Sequence, residues 1–157
     1  MNADGIKTVA TNRKARHDYS FEDTFEAGIA LTGTEIKSVR AGQVSLRDSF
    51  ATIKDGEMWL INVHISAYRQ AAHFNHEPRR PRKLLMHRRE ISRLTGKLQE
   101  KGLTLIPLRL YLKDNRAKVE LGLGRGKRQY DKRATLKEKE SRREVDRAMA
   151  LRRKGGP

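Results

Sequence analysis

Cysteine is absent from this 157-residue sequence, which rules out disulfides and thiolate metal centres and fits a reducing, cytoplasmic setting. No apolar run approaches the roughly 18 residues a membrane span needs, and Met1-Asn2-Ala3-Asp4 opens no signal-peptide core. No membrane partner is expected. The histidines at 17, 64, 73, 76 and 87 form no i, i+4 pair and no H-E-x-x-H, so a metal site is not expected. His17-Asp18 has no nucleophile to serve, and no acid/base constellation emerges, so the chain is not expected to be an enzyme or to need a cofactor.

Negative charge is also in short supply. Against 35 Lys and Arg stand 19 Asp and Glu, a formal net charge of +16. So large an excess repels itself, and a polyanion is its natural counterweight. With membranes set aside, that polyanion is nucleic acid. The same repulsion argues for a monomer. The surplus is uneven: Lys127 to Lys154 holds twelve Lys and Arg against five Asp and Glu, close to half of the total.

What is present before Gly126 reads as short strands with a few helical turns. Residues 1–12 are polar and are expected to be loose. Phe25, Ala27, Ile29 and Leu31 alternate with Glu26, Gly28, Ala30 and Thr32, the period of a strand. "GTEIKSVRAG" (33–42) reads as one or two helical turns closed by Gly42. "SFATIKDGEMWLINVHI" (49–65) is a hairpin about Asp55-Gly56, a dipeptide suited to the positive φ angles of a type I′ turn. Trp59, Ile61, Val63 and Ile65 are expected to share one face of its second arm. "AHFNHEPRRPRKLL" (72–85), with two prolines and a dense basic run, reads as an exposed loop and not a central strand. "HRREISRLTGKLQEKG" (87–102) places Ile91, Leu94 and Leu98 at helical spacing before Gly102. "LTLIPLRLYL" and "AKVELGL" form a second hairpin about Lys113-Asp114-Asn115-Arg116, with a bulge or edge at Pro107. Strands in this order with intervening helices predict a mainly β chain: a small closed barrel of the oligonucleotide-binding type over residues 1–126.

The segment 127–157 does not share that pattern. Leu136, Val145, Met149 and Leu151 are too scattered for an amphipathic stripe. Glu138–Arg142, Glu140–Arg143 and Glu144–Arg147 are spaced to pair along a helix, at about 0.2–0.5 kcal/mol each. Those pairs do not offset the entropy of ordering the chain. A basic tail is expected, disordered when free and helical in a polyanionic groove. Ahead of it, "GLGRGKR" (122–128) is not a phosphate-binding loop, because three residues and not four separate Gly122 from Gly126 and Arg128 replaces the Ser/Thr. It reads as a glycine hinge.

Five blocks carry a resemblance: "NRKARHDY" (12–19), "FEAGIALTGTEIKSVRAG" (25–42), "HEPRRPRKLLMHRREI" (76–91), "GLTLIPLRLYL" (102–112) and "LGLGRGKRQYDKR" (121–133). In order and spacing they closely resemble the SsrA-binding proteins, or small protein B, of bacterial trans-translation, from about Thr8 into the tail. Tyr130 stands where some relatives have His. The resemblance implies a barrel that binds the tRNA-like domain of transfer-messenger RNA. With elongation factor Tu and GTP, the pair is delivered to stalled ribosomes. The tail is implied to lie in the empty mRNA channel, against small-subunit ribosomal RNA. Carried over by position, the RNA-gripping residues are Asn12, Arg13, Arg16, Glu26, Glu35, Lys37, Leu85 and Lys118. Tyr130, Asp131, Lys132 and Arg133 match the entry to the decoding site, and Lys137, Arg142 and Arg143 fall in the channel segment.

The residue chemistry agrees: Arg and Lys suit phosphate, Asn suits sugar or base edges, and a carboxylate accepts from a base amino group. From the residues alone, Glu26 and Glu35 serve equally well as ion-pair partners of nearby arginines, and Leu85 reads as core. A generic barrel-fold ribosomal protein or translation factor shares the charge and fold but does not require the five blocks.

Overall fold

The computed structural model describes residues 5–69 and 75–127. The chain enters as strand β1 (Ile6–Thr11), followed by helix α1 (Arg13–Asp18) and the long strand β2 (Tyr19–Ile29). Helix α2 (Gly33–Arg40) comes next, then β3 (Val44–Ser45), β4 (Phe50–Lys54), β5 (Glu57–Ile61) and β6 (His64–Ile65). Strand β7 (Arg82–Leu85), helix α3 (Arg88–Leu98), β8 (Thr104–Lys113) and β9 (Arg116–Gly126) complete the described elements.

The sheet runs β1-β8-β4-β5-β7-β2-β9, and a further β8–β9 pairing closes six of these strands into a ring. One edge of β8 is divided between two partners. Arg109–Lys113 pair with β1, whereas Leu105 pairs with β4. The register shift between Pro107 and Arg109 falls between those stretches, where proline has no N–H to give to a ladder. The barrel encloses Met58, Leu60, Leu84, Leu105, Leu110, Val119 and Leu121, all fully buried. Outside it, Ala15 of α1 packs on Ile106 and Leu108 beside Tyr19 and Phe21.

Both hairpins form as the turn residues predict. Asp55 (φ 53) and Gly56 (φ 75) make one two-residue turn, and Asp114 (φ 49) and Asn115 (φ 65) make the other. Each pair adopts the double positive φ of a type I′ connection, whose twist matches that of the strands. Helix α2 ends, as expected, at a left-handed Gly42 (φ 76).

Four expectations are corrected. The residues before Asn12 are not loose from Ile6 onward, because β1 pairs with β8. The "PRKLL" end of the basic loop is β7, an interior strand between β5 and β2. Trp59 and Ile61 do not share a face with Val63 and Ile65. Met58 and Leu60 enter the core instead, and Asn62 (φ 67) interrupts the alternation so that Val63 and Ile65 are buried. Gly122 and Gly124 are a close-packing device and not free joints of the expected glycine hinge. A Cβ on Gly124 would meet the Ser20 carbonyl oxygen at 2.3 Å, and one on Gly122 would meet the Phe21 ring at 2.6 Å. Gly124→Ala is therefore expected to cost about 1–3 kcal/mol through a forced backbone shift; an unchanged urea midpoint would contradict that packing.

Candidate nucleic-acid interface

Asn12 organises the first basic element. Its Oδ1 caps α1 by accepting from the Ala15 N–H at 3.1 Å. Its amide donates to the carbonyls of Leu46 (3.2 Å) and Pro107 (3.0 Å). With the side chain buried and both amide hydrogens committed, Asn12 fixes α1 on the barrel and presents Arg13, Lys14 and Arg16 outward.

From α1 a continuous polar chain crosses the outside of the barrel. Arg16 and Arg109 share Glu120, at 3.4 and 3.3 Å. The Arg109 guanidinium lies 4.3 Å from the Tyr111 ring centroid, and Tyr111 donates its hydroxyl to Glu26. Lys113 completes the chain 3.8 Å from the same carboxylate. Burial, reinforced by the Glu26 hydrogen bond, pushes the Tyr111 phenol above its ordinary value, so it stays a donor. Glu26 is exposed on β2, and both Tyr111 and Lys113 reach it from β8.

Leu85 is not core. It is 54% exposed at the end of β7, opposite Gly28 of β2. A Cβ on Gly28 would come within 3.3 Å of the Leu85 Cβ, so the glycine makes room for that side chain. Leu85, Leu31, Ile36 and Ala117 give an open groove of about 410 Å³ its apolar surface, and Arg116 and Lys118 line it with charge. Exposed apolar surface beside cations suits a nucleobase with its phosphate.

Glu35 takes the ion-pair alternative. It is fully buried and closes a capping box with Thr32, whose N–H it accepts at 3.0 Å. It also pairs with Arg80, and with the fully buried Arg82 at 2.5 Å. Arg82 donates further to the carbonyls of Val63 (2.5 Å), Pro78 (3.0 Å) and Glu77 (3.5 Å). Burial pushes the Glu35 carboxyl up, but the Arg80, Thr32 and Arg82 hydrogen bonds outweigh it and hold the carboxyl below its ordinary value. This network staples α2 to β7. Its signal was partly present, since Thr32-x-x-Glu35 is a capping-box spacing, but nothing local marks Arg82 as buried.

Lys37 lines a different cavity from that of Ile36, its ammonium 5.4 Å from the Tyr68 ring centroid. Seven of the expected contact residues, Tyr130, Asp131, Lys132, Arg133, Lys137, Arg142 and Arg143, lie outside the described residues. Among the described residues no cluster of three or more histidines and carboxylates could hold a metal, and no helix is long and apolar enough to cross a membrane.

The chain and its barrel have counterparts among known proteins. The family model described as SmpB protein matches residues 9–151. An SsrA-binding protein of Acidothermus cellulolyticus is 64% identical over 151 residues, 96% of this chain and 95% of that one. Its namesake in Carboxydothermus hydrogenoformans is 60% identical over 146 residues, 93% of this chain and 98% of the relative. A solved structure named "tmRNA-SmpB: a journey to the center of the bacterial ribosome" superposes with a TM-score of 0.65 at 54% identity, covering 75% of this chain and 83% of that one. Motif order, barrel and these likenesses agree, and the chain belongs to the SmpB protein family.

Proposed function

We propose that this chain binds transfer-messenger RNA and accompanies it to stalled ribosomes for trans-translation. Residues 1–126 hold the tRNA-like domain, and residues 127–157 probe the vacant mRNA channel. The groove carries the reading: Leu85 is exposed beside Lys118 and Arg116, at a place where core packing would have hidden a leucine. Arg13 and Arg16 contact phosphate from α1, Glu26 accepts from a base amino group, and Asn12 and Glu35 act as positioning residues behind them. Lys37 meets RNA from the last turn of α2.

In the tail, Tyr130 to Arg133 stand at the decoding site, with Lys137, Arg142 and Arg143 against ribosomal RNA phosphate. The protein acts as a cytoplasmic monomer, with no catalysis of its own, alongside elongation factor Tu and GTP. The solved relative, whose name joins SmpB, tmRNA and the ribosome, supports the same assignment.

Purification of the full chain from cells, followed by sequencing of the bound RNA, is expected to recover one structured RNA with a tRNA-like end. Recovery of ribosomal RNA alone would overturn the assignment. Truncation after Asp131 is expected to leave that RNA in place while abolishing peptide tagging. Loss of the RNA in the truncation would put the tail on the wrong partner.

A further inference from the structure

A second cavity, of about 720 Å³, opens between the last turn of α2 and the segment after β6. Lys37, Ser38, Arg40, Gln43, Tyr68 and Arg69 give it its chemistry, and among the described residues no carboxylate lines it. Its volume lies within the range of small-molecule sites.

Three features distinguish it from an ordinary basic surface. The first is Ser38, only 1% exposed, whose hydroxyl has no hydrogen-bond partner among the described residues. A serine in a helix ordinarily donates back to a carbonyl one turn earlier or points to solvent. This one does neither: its oxygen is sealed in the cavity wall, and turning it toward a ligand would relieve the cost of leaving it unpaired. The second is Tyr68, whose loop is clamped: Asn75 accepts from the Tyr68 N–H at 3.0 Å and donates to its carbonyl at 2.9 Å. A loop ring held at its backbone is a prepared stacking platform, since less freedom is lost when a ligand docks. The third is the carbonyl end of α2. Ala41, Gly42 and Gln43 return their N–H groups to Lys37, Val39 and Ser38, so these carbonyls are satisfied and less repellent to an anion.

We infer that this cavity takes one nucleoside monophosphate unit, presented as an unstacked nucleotide of the bound RNA, with its base on Tyr68. Lys37, Arg40 and Arg69 neutralise the flanking phosphates, and Ser38 and Gln43 supply hydrogen bonds to the sugar or base edge. The site is lined by other residues of α2 than the Leu85 groove is, so the helix offers RNA a second contact. The inference rests on the RNA-binding assignment above and adds a nucleotide-specific contact to it.

Ultraviolet crosslinking of the full chain to transfer-messenger RNA, followed by digestion, is expected to yield the Tyr68 peptide carrying nucleotide. Tyr68→Ala should weaken RNA binding by about 5- to 150-fold, the range for loss of one stacked base, with its salt dependence unchanged. Tyr68→Phe should retain affinity. Arg40→Gln should instead lower the salt slope by about 1, which keeps the test alive if Tyr68→Ala folds poorly. Wild-type affinity in both Tyr68→Ala and Arg40→Gln would overturn the pocket while leaving RNA binding intact, whereas a wild-type chain that binds no RNA would overturn both. Free nucleoside monophosphates separate the sources. Amide shifts at Ser66–Tyr68 with RNA, whether or not free nucleotide reproduces them, support the site. Shifts with free nucleotide alone, or with an acidic peptide alone, would refute an RNA-borne ligand.

Discussion

Between 50 and 200 mM salt, the affinity of this chain for transfer-messenger RNA is expected to fall by about 10³–10⁵-fold. The size follows from counterion release, given roughly 6–10 phosphate contacts. The protein has the charge to make them, with a surplus of 16 over the whole sequence. The folded part does not spend it internally. Arg13, Lys37 and Arg40 have no carboxylate partner among the described residues, and Arg16 and Arg109 share a single carboxylate. Filter binding or fluorescence titration at four salt concentrations gives the slope. A flat slope, or equal affinity for an arbitrary duplex, would show that the cations do not meet phosphate as argued.

Glu35→Ala is expected to destabilise the fold by about 3–5 kcal/mol, the cost of leaving a buried charge without its partner. Arg82 is fully buried and would keep its guanidinium in the interior with only carbonyls to answer it. A Glu35→Leu/Arg82→Met pair should recover much of that loss, because the only charge left without its carboxylate is Arg80, which reaches solvent. The ion pair also predicts an acid limb. The folded carboxyl is held below its ordinary value of 4.5, so its contribution is complete above that pH and disappears as pH falls through the lowered folded value. Urea midpoints measured from pH 7 down to pH 3 should converge for wild type and Glu35→Gln. A gap that stays constant over that interval would show that the carboxyl's ionisation is not what stabilises the fold. Leu85 ends the strand that Arg82 begins, so the same substitution should also loosen the groove.

The legible parts of the fold were those whose cause is local. Asp55-Gly56 and Asp114-Asn115 announce their hairpins because the turn conformation depends on those residues. Pro107 announces its bulge because it lacks a donor. What stayed hidden depends on residues far away in sequence. Strand β1 mixes polar and apolar residues without a strand's alternation, and the edge of β8, with Val9 and Ala10 packed on the core, makes it a strand. Strand β7 looked like loop because Arg82 is ordinarily an exposed residue, and it becomes interior only through Glu35, 47 positions earlier. Gly122 and Gly124 looked like freedom at a chain exit, although Phe21 and Ser20 impose them by proximity.

The candidate site divides the same way. Arg13, Arg16, Lys37 and Lys118 were found by charge and likeness and are accessible. Leu85's exposure and the Arg109–Tyr111–Glu26 link required the third dimension. Tyr68 carried no signal, since one tyrosine in a loop says nothing until Asn75 is seen to hold it.

The divided edge of β8 bears on handling and processing of the protein. Residues 6–11 sheathe five positions of an apolar strand and lead straight into the asparagine that anchors α1. Proteolytic trimming up to Thr11 would bare a ready-made seam for a neighbouring molecule. The unassuming leading segment is therefore a safeguard against self-association.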